Sequence, residues 1–200
     1  MADRRMEKKS EQEQNLKNCI ETVSEQILKI ARNELYLNMR FLDVALSSLA
    51  FVMDEAVRPL GTDGFCLYYL PQYLGGMYRE ERILVNRAYL HIVLHCIFRH
   101  LIRREGREKE RWNLSCDIVA ESMIDSMQHR SVRRSKSWLR RETYRKLRER
   151  MKVLTPDRVY GVLERWELSE QELRQLAEEF YVDDHCYWPE DVDRKRQNEI

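Results

Sequence analysis

Apolar residues recur at helical spacing from Asn15 to about Val57: Ile20, Val23, Ile27, Ile30 and Ala31, then Leu35, Met39, Leu42, Leu46, Leu49 and Met53. That period predicts one long helix or two stacked ones. The stretch from Pro59 to Gly64 breaks the pattern. Phe65-Cys66-Leu67-Tyr68-Tyr69-Leu70, ended by Pro71, has the length and aromatic content of a short strand, and Gly75-Gly76 reads as a turn. Helical periodicity resumes at Glu81 and runs to about Arg104, with residues 83–104 as its buried body, until Gly106 and a charge run end it. Asn113 or Ser115 is placed to cap the next helix, which continues through Ile118, Val119, Met123 and Ile124. Ser135 to Lys152 reads as a basic helix whose apolar residues are Trp138, Leu139, Tyr144 and Leu147. Thr155-Pro156 is a cap followed by a first-turn proline, and Ser169 with Glu172 matches a capping box that opens a last helix through Leu173, Leu176 and Phe180.

These elements predict an α+β fold that is predominantly α-helical, with a small β element. Residues 1–57 form an N-terminal helical region packed on a main domain at 58–192, and 193–200 are a polar tail. A chain of 200 residues suffices for one sizeable core. With 34% charged residues, no apolar segment of membrane-span length and no apolar leader region near Met1, the expected setting is the cytoplasm with no membrane contact. The five cysteines include no C-x-x-C pair, which suits reduced thiols. A net charge of +1 hides an asymmetry: residues 130–152 carry +9 and residues 164–200 carry −7. Such faces can be solvated, can lie against each other, or can bind nucleic acid.

The chemistry concentrates in Tyr89-Leu90-His91-Ile92-Val93-Leu94-His95-Cys96-Ile97-Phe98-Arg99-His100. On a helix His91 and His95 sit roughly 40° apart and about 6 Å along the axis, so both rings can address one ion. This is the clamp of the H-E-x-x-H zinc motif, in which the glutamate beside the first histidine polarises a metal-bound water. Here that position is Ile92. An alkyl group accepts no proton, so the usual base, worth about 10²–10⁴-fold in rate, is missing. His100 would face about 180° away from His91 on an unbroken helix, and nothing between Cys96 and His100 signals a break, so it reads as a residue that caps or packs the helix end. A pair of histidines needs further donors from another element. Asp117, with Glu121 one turn later, is an acid in an otherwise apolar helix, which is costly to bury unless paired or coordinated. Cys116 reads as a packed thiol, with a soft ligand role as the alternative. Asp183-Asp184-His185 supplies more donors, or a carboxylate to orient a ligand ring.

Taken in order, the strand followed by Pro71, then His91, His95, His100 and Arg103, then Trp112, Asn113 and Asp117, then Asp183, Asp184, His185 and Trp188 resemble a bacterial metallopeptidase-like domain. That domain usually precedes a von Willebrand factor A-like domain in proteins encoded near AAA ATPases, and the resemblance covers roughly residues 15–190. It implies a zincin-like fold with zinc as the candidate cofactor, His91 and His95 as ligands and Asp117 as the third. The chain departs from the pattern at Ile92, and these 200 residues include no von Willebrand-type domain, which fits either a fragment of a longer protein or a stand-alone degenerate member. The expectation is therefore a degenerate zinc-metallopeptidase-like domain with its clamp retained and no catalytic residue. It would serve as a structural or interaction module for a protein partner, such as a von Willebrand factor A-like protein or an AAA ATPase. Two alternatives are an active hydrolase using Glu121 or Asp184 as substitute base, and nucleic-acid binding through residues 130–152 with Trp138 and Tyr144 stacking on bases.

Overall fold

A computed structural model describes the backbone of residues 2–189 and the side chains of residues 11–189; the polar tail at 193–200 lies outside the described residues. Among the described residues there are eight α-helices and a small three-stranded sheet. Helix α1 (Ala2–Asn38) is followed by a short turn of 3₁₀ helix and by α2 (Asp43–Ser47). Strand β1 (Ala50–Met53) then pairs in parallel with β3 (Cys66–Tyr69), and β2 (Leu60–Thr62) pairs antiparallel with β3 on its other side. The boundary read at residue 57 thus falls between two strands of one sheet. Ala50–Met53 does not continue the preceding helix: its side chains alternate between exposed and half-buried, so the apolar run at 49–53 follows the period of a strand.

Helix α3 (Pro71–Glu80) starts at its proline, and Gly75 and Gly76 lie inside it. The turn expected there gives way because Leu70 and Leu74, either side of the first turn, are buried; that burial exceeds the cost of about 1 kcal/mol for a glycine in a helix. Helix α4 (Arg82–Ile97) is buried continuously from Val85 to His95. A helix covered all round is a core element, and α1 and α3 pack on it from one side while α5 (Lys109–Ser126) packs from another. Leu28, Ala31 and Leu35 of α1 join Tyr89, Ile92 and Val93 of α4 in the main apolar cluster.

The histidine helix ends earlier than the periodicity predicts. Arg99 takes the left-handed conformation at φ 57°, and His100–Ile102 forms a separate 3₁₀ turn. Glu108, rather than Asn113 or Ser115, caps α5, its carboxylate accepting from the backbone N–H groups of Glu110 and Arg111. A second apolar cluster joins α5 to α6 (Trp138–Arg150), α7 (Pro156–Arg165) and α8 (Glu170–Phe180). Ser137 caps α6, and both hydrogen bonds of the Ser169–Glu172 capping box are present at α8.

After α8 the chain returns to the sheet. Asp184 donates its backbone N–H to the Leu60 carbonyl at 2.6 Å and bridges to Gly61. A side chain at Gly61 would come within 2.8 Å of the Asp184 carbonyl oxygen, so the close approach requires glycine there. This contact brings Asp183 and His185 over α4 and α5.

Candidate metal centre

His91 and His95 are fully buried one turn apart on α4, with their Nε2 atoms 2.7 Å from each other. Asp117, in the third turn of α5, brings Oδ1 to 3.4 Å from His91 Nε2 and 3.3 Å from His95 Nε2. Asp183, held by the strand-like contact at Gly61, brings its Oδ1 to 3.3 Å and 3.6 Å from the same two nitrogens. These four ligand atoms all lie within 4.8 Å of one another, and every residue is buried. His185 adds a fifth donor, its Nε2 3.2 Å from Oδ1 of both aspartates.

The donors stand close together without satisfying one another. Oδ1 of Asp117, both carboxylate oxygens of Asp183 and Nε2 of His185 are buried with no hydrogen-bond partner. Each such group costs about 1–3 kcal/mol unless something else satisfies it. A tetrahedral ion with N and O ligands at roughly 2.0–2.2 Å sets its ligand atoms about 3.3–3.6 Å apart, which is the spacing found between each histidine Nε2 and each aspartate oxygen. Imidazole nitrogens with carboxylate oxygens form the donor chemistry of a borderline divalent cation.

The supporting shell is equally built. Behind His91, Nδ1 lies 3.0 Å from Glu121 Oε1. Glu121 in turn accepts from Arg87 Nη2 at 2.6 Å and from Arg140 Nη1. Asp125 takes the remaining reach of both guanidinium groups and the hydroxyl of Tyr144, and Glu179 of α8 pairs with Arg140 at 3.1 Å. Behind His95, Nδ1 lies 2.8 Å from Nδ1 of His100. The left-handed Arg99 turns His100 back toward His95, which corrects the expectation that His100 merely packs the helix end. Trp188 lies against both His95 and His185, at 5.0 Å and 3.9 Å between ring centroids. Trp112 donates to the His100 carbonyl.

Burial and charge divide the titrating groups. Burial pushes His91 down, but the carboxylates of Asp117, Asp183 and Glu121 outweigh it and hold the ring well above its ordinary value. His185 likewise loses by burial and gains more from Asp117 and Asp183, rising to about 10. His95 is lowered by burial and by the neighbouring His91, and His100 falls to about 2 through burial and the charge of His95. Burial works against the charged forms of Asp117, Asp183 and Glu121, yet the imidazoles, with Arg87 and Arg140 at Glu121, hold all three carboxylates below their ordinary range.

Other candidates lie elsewhere. Asp184 accepts from the Cys186 backbone N–H, so its carboxylate is occupied by the turn. Glu121 faces the back of His91. Arg103 is exposed beside Asp157. Cys116 is a buried thiol packed with Leu101, Trp112 and Tyr160, and burial pushes its pKa well up. All five cysteines are free. In the basic helix α6, Trp138 is exposed while Tyr144 is buried, so the two aromatics share no stacking surface. Arg140 is spent on Glu121 and Glu179, and Arg145 on Glu142 and Glu149. Asp183 joins the expected set of His91, His95 and Asp117; the sequence offered it only as one of the further donors in Asp183-Asp184-His185.

The family described as "Putative metallopeptidase domain" matches residues 23–184, and the chain belongs to it. The resemblance read from the three motifs is thereby borne out. No curated protein and no solved structure matches the chain. No described helix is long and apolar enough to cross a membrane.

Proposed function

We propose that this is a non-catalytic member of its family, a metal-organised structural module that works by engaging another protein. His91, His95, Asp117 and Asp183 hold the metal, and zinc is the ion that this donor set and spacing suit best. When bound, the ion supplies the positive charge that the buried carboxylates otherwise draw from protonated imidazoles.

The observation that carries the reading is the closed convergence of protein donors. Four buried residues offer ligand atoms within 4.8 Å of one another, enough donors to fill a four-coordinate sphere once the two histidine nitrogens, 2.7 Å apart, spread around an ion, and His185 lies 3.2 Å from both aspartates. Catalytic zinc keeps one position for water or substrate, whereas structural zinc does not. Ile92 supports the same conclusion, because the position of the usual base is an alkyl side chain in the apolar core. Both substitute carboxylates named from the sequence are engaged elsewhere. Partners of the von Willebrand factor A or AAA ATPase class follow from the family resemblance.

Elemental analysis of protein purified without added metal is the test. One equivalent of zinc per chain is expected, lost in His91→Ala/His95→Ala together with a lowered melting temperature. Absence of metal with unchanged melting of that variant overturns the metal assignment. Chelator-sensitive peptidase turnover by the unmodified chain overturns the non-catalytic one.

A further inference from the structure

The segment that follows α8 carries Asp183 and His185 two residues apart. Asp184 between them is extended, at φ −98° and ψ 123°, and side chains on either side of an extended residue point the same way. Asp184 fixes the backbone at both ends: its N–H bonds the Leu60 carbonyl, and its carboxylate caps the 3₁₀ turn His185–Tyr187 through the Cys186 N–H. Tyr187 stacks on Tyr68 at 3.9 Å, and Trp188 lies against the His185 ring, also at 3.9 Å. The imidazole of His185 is thereby buried and held by its neighbours.

Its Nε2 lies 3.2 Å from Oδ1 of Asp117 and 3.2 Å from Oδ1 of Asp183. It is aligned for a hydrogen bond to neither, and it has no other partner. Those two oxygens are the same ones that stand 3.3–3.6 Å from Nε2 of His91 and His95. Five ligand atoms about 2.0–2.2 Å from one ion lie about 2.8–3.8 Å from their neighbours, a range that includes the contacts of His185. Charge favours an imidazole as the further donor. Asp117 and Asp183 already balance a divalent cation, and an imidazole ligates in its neutral form. Glu121, the remaining buried carboxylate, is taken by Arg87 and Arg140.

Given the metal assignment proposed above, we infer that His185 is itself a ligand, binding through Nε2 as a fifth donor beside His91, His95, Asp117 and Asp183. His185 is not one of the four residues whose ligand atoms already lie within 4.8 Å of one another, so its ring swings inward as the ion is bound. Two of the five donors then come from one short segment, and the ion fastens residues 183–185 to α4 and α5. Five protein donors also leave no position for water.

Nuclear magnetic resonance of the full chain, isotopically labelled in histidine and loaded with an NMR-active cadmium isotope in place of zinc, tests this. Scalar coupling to the metal marks each ring nitrogen bonded to it. Three coupled rings are expected, falling to two in His185→Ala with cadmium still bound. His185→Ala should also lose more than the roughly 10–100-fold in zinc affinity that a partner behind a ligand is worth. His100→Asn should keep three coupled rings; this excludes His100 as the third and leaves the count decisive should His185→Ala fail to fold. Two coupled rings in the unmodified chain, with cadmium bound, overturn the inference and leave the metal assignment standing, His185 then being only an ion-pair partner of the two aspartates. A chain that binds neither cadmium nor zinc overturns both.

Discussion

Nδ1 of His100 lies 2.8 Å from Nδ1 of His95, so the two rings share one proton across a buried contact. Coordination through His95 Nε2 leaves Nδ1 as the protonated nitrogen, which then donates to His100. On the proposed metal assignment, His100 is thus a positioning residue that sets the tautomer and the plane of the His95 ring. Replacing such a partner commonly costs about 10–100-fold in metal affinity. His100→Ala should lower zinc affinity by that order in a competition titration with a chromogenic chelator. His100→Asn, which keeps an acceptor near Nδ1, should recover part of the loss. Equal affinity in all three proteins would reduce His100 to packing.

A second support can be weighed separately. Glu121 is fully buried and is the carboxylate shared by His91, Arg87 and Arg140. Removing one member of a buried ionic network leaves the others desolvated and unpaired, at a cost of about 3–5 kcal/mol. Glu121→Ala should therefore be strongly destabilised in denaturant melts even without metal, whereas Asp117→Asn should mainly lose zinc. If Glu121→Ala melts like the parent chain, the network contributes specificity alone.

The pH dependence of the metal-free protein has a definite sign. His185 is raised to about 10 from 6.5, so its stabilising charge interactions are complete below pH 6.5 and are lost as pH rises toward 10. His91, also raised, acts in the same direction. His100, lowered to about 2, acts on the other side: as pH falls below 6.5 the unfolded chain takes a proton that the folded ring refuses. Each group contributes a slope of up to about 1.4 kcal/mol per pH unit inside its window. Chelated protein should be most stable near pH 6.5 and should melt progressively lower as pH rises toward 10. Zinc should abolish that alkaline loss, because the ion replaces the imidazole protons. Melting curves across that range, with and without chelator, decide it; parallel curves would mean that no ion takes the place of those protons.

How much of this was legible in the sequence depends on which interactions were local. Caps and first-turn prolines are decided within one turn, and Pro156 and the Ser169–Glu172 box stand where the sequence places them. The clamp of His91 and His95 is likewise a matter of helical spacing. Asp183 and His185, in contrast, reach the centre only because Asp184 docks on Leu60 and Gly61, more than a hundred residues away in the chain. His100 was misread because the break at Arg99 uses a left-handed arginine, which no glycine or proline announces. Gly75 and Gly76 were misread for the opposite reason, since tertiary burial of Leu70 and Leu74 overrides a turn signal.

Restoring the glutamate of the usual zinc-peptidase motif should fail in this chain. Ile92 has no exposure and belongs to the apolar cluster with Leu28, Leu35 and Tyr89. Ile92→Glu would place a carboxylate among those side chains, and a group so buried either takes up a proton or unfolds its surroundings. The expected result is a destabilisation of about 3 kcal/mol or more, in the range of the most damaging core substitutions, with no gain in peptide hydrolysis. A thermal melt and a fluorogenic peptide assay on the zinc-loaded variant test both halves. Chelator-sensitive turnover from Ile92→Glu would show that position 92 reaches a water on the ion after all, and that the coordination sphere has room for one.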